Sequence, residues 1–193
     1  KINHNNFYLS GTMVGAGQVY FDAGQSIKNF DEKKLIENIE TIKTFNFQGT
    51  TKCPGLVHKD IWNKVGGWSE EFSPTGGDDT DFAMKLWQNN IRIFKGLGSS
   101  LVYHFGSITT RKKGKSFFTY LGSKGNKIFL KKWGITINFF EKFYLIAGLD
   151  KNKDLIFTKY NGPVNDPKKS FSYYLELVKS KLQKIYLSIV NYN

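Results

Sequence analysis

The chain has a single cysteine, Cys53, among 193 residues. One thiol cannot close an internal disulfide, and without a Cys/His cluster a structural zinc site has no ligand set. A reducing, cytoplasmic compartment is therefore the simpler expectation. Long apolar runs are missing as well: none approaches the roughly 18 residues that cross a bilayer, and the opening KINHNNFYLS has no signal-peptide pattern. Acid is the third shortage. Sixteen Asp and Glu stand against 28 Lys and Arg, a net charge of +12. That balance favours anionic partners such as nucleic acid, lipid headgroups or a phosphate-bearing substrate. Nucleic acid is not expected, because the lysines are scattered and no DNA- or RNA-binding motif is present.

What is there suffices for a packed core, with 40% hydrophobic and 16% aromatic residues. Residues 7–21 read as short strands broken by Gly11, Gly15 and Gly17. The segment 31–45 reads as one amphipathic helix with Leu35, Ile39 and Ile42 on its apolar stripe. A short helix over 58–65 ends at Gly66-Gly67, and another runs through Phe82, Leu86 and Trp87 to Asn89-Asn90. Two strands, IRIF (91–94) and SLVYH (100–104), follow, separated by KGLGS. The glycine- and lysine-rich stretch 106–116 reads as a loop. Helical patterns return at 116–131 and from Asn138, where Asn138 and Glu141 have capping-box spacing, with Gly148 as the stop. Residues 161–169 read as a linker. The last segment, 170–191, places Phe171, Leu175, Val178, Leu182, Ile185 and Ile189 on one helical face.

Against the shortage of acid, "FSPTGGDDTDFAMKLW" concentrates three aspartates, Asp78, Asp79 and Asp81, into four positions after a double glycine. Aspartates at a helix start accept orphan backbone N–H groups and suit the positive end of the dipole. Capping accounts for two of them, and Asp78-x-x-Asp81 has the spacing for it. It does not require Asp79 or the glycines. Clustered carboxylates also suit a site to which a cation, a proton donor or a hydroxyl is brought. Both readings stand on spacing alone.

The order of motifs adds to this. "VHKDIWNKVGGWSEEFSPTGGDDTDFAMKLW", then "SLVYHFGS", then "FLKKWG" resembles the acceptor-side half of family 2 glycosyltransferases with the GT-A fold. The matching elements are Val65 to Glu70, Gly76 to Asp81, Val102 to His104 and Lys132 to Gly134, so the resemblance covers about residues 54–134. It implies an α/β fold: residues 1–135 as the C-terminal part of a GT-A domain, 136–160 as a helical extension, and 161–193 as linker and amphipathic helix. It also implies transfer of a sugar, with inversion, from a nucleotide-diphospho-sugar to a hydroxyl of a saccharide, lipid-linked or protein acceptor.

In that resemblance Asp79 is the general base, since a hydroxyl attacking an anomeric carbon must lose its proton to a carboxylate within reach. Asp78, Gly76, Gly77 and Trp68 belong to the acceptor side. Asp78 stands where relatives usually carry Glu, one methylene longer. Asp81 is left to helix capping. His104 corresponds to a histidine that helps hold Mn²⁺ or Mg²⁺ on the donor diphosphate, and Arg111 and Lys112 would neutralise that diphosphate. Trp68, Trp87 and Trp133 suit either sugar stacking or core packing, and His4 and His58 show no partner. The family's Asp-x-Asp donor motif does not occur before the helix at 31–45, where Asp22 stands alone, so the sequence reads as the C-terminal half of a transferase. A reading from another class competes: a basic, non-catalytic module that docks on membrane surfaces or other polyanions through its C-terminal helix.

Overall fold

A computed structural model describes residues 5–15, 17–42, 44–52, 54–74, 76–106, 115–147 and 157–190. It is a mixed α/β architecture: an open four-stranded sheet in the order β2-β4-β1-β3, with helices packed on it. The two long strands, β1 (Phe7–Gly15) and β4 (Ile93–His104), lie parallel at its centre. β3 (Gly55–Val57) runs antiparallel along β1, and β2 (Phe47–Gln48) antiparallel along β4.

β1 follows the period of two expected of a pleated strand, with Tyr8, Ser10, Thr12 and Val14 buried. Gly11 does not break it, and the strand ends at Gly15. The second predicted pair of strands, 91–94 and 100–104, is also one strand. Gly11 pairs with Leu97 and Thr12 with Leu101, so Gly98, Ser99 and Ser100 bulge out of the ladder. Gly98 is needed there: a Cβ on it would lie 2.0 Å from the Thr44 carbonyl oxygen, and its own N–H donates to Asn46 Oδ1 at 3.0 Å.

The predicted helix at 31–45 is two short pieces, α1 (Glu32–Glu37) and α2 (Ile39–Ile42). Asn38 interrupts them: its side-chain amide donates to the Lys34 carbonyl at 2.8 Å, and its backbone N–H to Leu35 and Ile36. Only Ile42 of the proposed stripe is buried. α3 (Lys59–Val65) ends as expected at left-handed Gly66, and His58 acquires a partner by capping it, Nδ1 accepting from Asp60 N–H at 3.3 Å. α4 (Asp78–Gln88) lays Phe82, Ala83 and Leu86 on the sheet, where Phe82 meets the Tyr8 ring edge-on.

α5 (Lys115–Trp133) and α6 (Ile137–Phe143) close over the core with Phe129, Leu130, Phe139 and Phe140. The cap of α6 is Thr136, which accepts from Phe139 N–H at 3.1 Å, not Asn138. The predicted linker is stitched to the domain instead of hanging free. Asn161 N–H donates to Gln48 Oε1 at 3.3 Å, and buried Val164 donates to the Arg92 carbonyl at 2.7 Å. α7 (Phe171–Val190) then packs on α5 and α6. The face it uses carries Tyr173, Leu177, Ser180 and Leu187. The predicted apolar stripe points the other way: Phe171 is 84% exposed, Leu182 61% and Ile189 61%.

Glu141, predicted as half of a capping box, lies instead half-buried on α6 beside Thr51 and Lys52. Burial pushes its carboxyl above the usual value of 4.5, with the Lys52 charge and a hydrogen bond from Thr51 pulling back only in part. The folded state therefore holds the Glu141 proton more tightly than the unfolded chain. Stability from this group is present below pH 4.5 and lost as pH rises through the raised value. Glu141→Gln is expected to raise the thermal midpoint at neutral pH, with the gain vanishing towards pH 4.5; a scan of both proteins across pH checks it.

Candidate active site

The acidic turn opens on glycine for a backbone reason. Gly77 caps α4 at φ 103°, in the left-handed region, and no side chain accepts there. A side chain at Gly77 would also press on Ile137 Cδ1, 3.3 Å away. Gly76 differs: it is exposed, with nothing within 4 Å of where a Cβ would sit, so the chain can be approached closely from outside.

The three aspartates part company within one turn. Asp81 is fully buried and is not a cap. Ser69 Oγ donates to it at 2.6 Å, Trp133 Nε1 at 2.7 Å, and Lys132 Nζ lies 2.9 Å away. Lys85 Nζ stands at 3.8 Å while donating to the Gly67 carbonyl at 3.0 Å. Lys132 also binds Glu71 at 2.5 Å and Ser69 Oγ at 3.0 Å. Desolvation works against the charge on both lysines. On Lys132 the hydrogen bonds it donates to Glu71 and Asp81 outweigh it and hold the ammonium above its usual value. On Lys85 desolvation wins over the attraction of Asp81, and the neighbouring Lys132 lowers it further. Asp78 and Asp79 stay half-buried on the first turn of the helix.

This arrangement brings together residues far apart in sequence. Ser69 comes from the Val65–Glu70 motif, Asp81 from the Gly76–Asp81 motif, and Lys132 and Trp133 from the Lys132–Gly134 motif. Trp68 adjoins them, its ring on Phe82 at 4.8 Å and against Trp62 at 6.1 Å, within the aromatic cluster under α4. Trp87 is held by Arg92 at 4.0 Å and by Tyr144. A cavity of about 500 Å³ lies between α5, α6 and α7. Its polar lining includes Asn126, Asn138, Lys142 and Gln183, and Ile137, which touches the space of Gly77, forms part of its wall.

His104 is not part of this group. It pairs with Gly15 at the far end of the central ladder, seven residues along β1 from Tyr8, a separation of about 23 Å. There it lines a small cavity of about 160 Å³ with Asp22, Tyr20 and Phe105. Sequence reasoning passed over Asp22 as isolated; only the β1/β4 register shows that it and His104 share a pocket. The Asp22 carboxylate already accepts from Gly24 N–H at 2.9 Å. Among the described residues no group of three or more His, Cys, Asp or Glu could hold a metal ion. Arg111 and Lys112, together with His4, lie outside the described residues.

Removing the Asp81 carboxylate takes the acceptor from the Trp133 N–H and leaves the Lys132 ammonium to Glu71 and Ser69 Oγ alone. Asp81→Ala is expected to destabilise the fold by about 3 kcal/mol, whereas Trp133→Phe, which deletes one donor, should cost about 1–2 kcal/mol. Asp78→Ala should be the mildest of the three. Urea unfolding of the three variants measures the order.

Comparison with protein-family models, curated proteins and solved structures returns no match, and the site is left to be read from its own chemistry.

Proposed function

We propose that this chain is the acceptor-side portion of an inverting, family 2-like glycosyltransferase of GT-A type, with Asp79 as general base. The single observation carrying this reading is the meeting of three separate motifs at the Asp81 carboxylate. That knot holds the first turn of α4 rigidly and leaves Asp78 and Asp79 half-buried beside open Gly76. A base must be positioned before it can be effective, and a half-buried carboxylate on an anchored turn meets that need. The cavity walled by Ile137, whose methyl also approaches Gly77, supports a saccharide as acceptor, since its amides and lysine match sugar hydroxyls and its phenylalanines suit the C–H faces of a sugar ring.

In the reaction, the acceptor hydroxyl oxygen attacks the anomeric carbon of a nucleotide-diphospho-sugar from the face opposite the diphosphate. Its proton passes to an Asp79 carboxylate oxygen as the new C–O bond forms. The bond from the anomeric carbon to the diphosphate oxygen breaks with its electron pair, and the configuration inverts. Asp78 orients the acceptor, and Arg111 and Lys112 balance the charge on the departing diphosphate.

The test is nucleoside-diphosphate release from a panel of nucleotide-sugars in the full-length protein. Asp79→Asn is expected to lower kcat by roughly 10²–10⁴-fold while donor Kd and unfolding midpoint stay close to wild type. Unchanged turnover in that variant removes Asp79 from the role.

A further inference from the structure

α7 turns its most hydrophobic face away from the protein. Phe171, Leu175, Val178, Leu182, Ile185 and Ile189 are between 46% and 84% exposed, while the same helix packs through Tyr173, Ser180 and Leu187. Adding the exposed rings of Tyr174 and Tyr186 widens this face to about 120° at 100° per residue. That is broader than the narrow seam of a two-stranded coiled coil. Among the described residues no helix is long and apolar enough to cross a membrane, so the face is not that of a spanning segment.

The charge around it indicates what covers it. Lys179 stands on one border of the apolar face, and Lys181 on the other. Lys184 follows on the side where α7 approaches Gly134, with the Lys181 and Lys184 ammoniums 3.3 and 3.8 Å from where a Gly134 Cβ would lie. The helix has one acid, Glu176, turned towards the packed side and bonded to Lys179 at 3.1 Å. A second copy of α7 laid on this face would therefore bring a lysine to each border, Lys179 and Lys181, and no carboxylate beyond one already engaged. A surface of anionic lipid phosphates offers the opposite charge along both borders, acyl chains for the apolar residues, and an interfacial layer for the two tyrosines. We propose that α7 is an in-plane docking helix for anionic membrane surfaces. The inference is independent of the glycosyltransferase reading, because it rests on residues outside the acidic turn.

The experiment is co-sedimentation of the full chain with vesicles of phosphatidylcholine alone and of phosphatidylcholine mixed with phosphatidylglycerol. Binding is expected to the mixed vesicles, at least tenfold weaker to phosphatidylcholine alone, and to fall as salt rises. Leu182→Asp, at an exposed position where the fold is not at stake, should reduce binding at least tenfold with an unchanged circular dichroism spectrum. Lys179→Glu with Lys181→Glu should erase the preference for the anionic vesicles. Equal binding to both vesicle types, or none to either, overturns the proposal. So does a doubled mass in solution that Leu182→Asp returns to that of one chain, because a second copy would then own the face.

Discussion

The burial of one carboxylate governs how this molecule is put together. An ionised aspartate out of water is costly unless donors surround it, and Asp81 is surrounded by a hydroxyl, an indole N–H and two ammoniums. Its hydrogen-bond donors come from two other segments, Ser69 in the turn after α3 and Lys132 with Trp133 in the last turn of α5, while Lys85 stands by on α4 itself. The charge therefore demands that those segments arrive together. Lys132 is shared with Glu71, which extends the demand into the 70–72 turn. A hydrophobic contact at the same place would tolerate sliding, whereas hydrogen bonds at fixed distances set the azimuth of α4 and so the direction in which Asp78 and Asp79 leave the helix.

The parts of the fold that could be read in the sequence are those where local chemistry decides. α3 and its Gly66 end follow from apolar spacing and a residue free to take a left-handed backbone, and α4 was visible for the same reason. The misreadings fall where a distant segment decides. KGLGS looks like a break between strands because glycine ends strands locally, yet Gly98 is a bulge residue that lets the 44–46 segment approach. The stretch at 161–169 looks like a linker because its composition is polar and turn-forming, yet Val164 is buried. Asn138 and Glu141 have the spacing of a cap, but Thr136 takes the role and Glu141 is drawn inward towards Thr51 and Lys52.

The candidate site divides the same way. That the acidic turn opens a helix after a conformationally special glycine was legible, whereas the folding of the KKWG motif back onto it was not, because order along the chain does not give distance in space. Which aspartate does what was not. Spacing assigned Asp81 to capping because its i, i+3 relation to Asp78 is all that a sequence displays, and the partners that pull it into the core lie 12, 51 and 52 residues away. The pairing of Asp22 with His104 in one pocket was invisible for a similar reason. It depends on the parallel register of β1 and β4, in which a bulge shifts every partner from Thr12 onward.

Helical periodicity in α7 announces an apolar face without saying what covers it. The packed side is held by a tyrosine, a serine and two leucines, which is enough because α5 and α6 already carry the phenylalanine core beneath it. That leaves the stronger stripe free to face outward. The junction is short: α7 reaches α5 at Gly134, the residue after the Trp133 that holds Asp81. A surface bound along α7 is therefore one helix layer from the acidic turn, with the polar cavity between α5, α6 and α7 lying in that layer. The two proposals thus place their ligands on adjoining surfaces, although neither needs the other to hold.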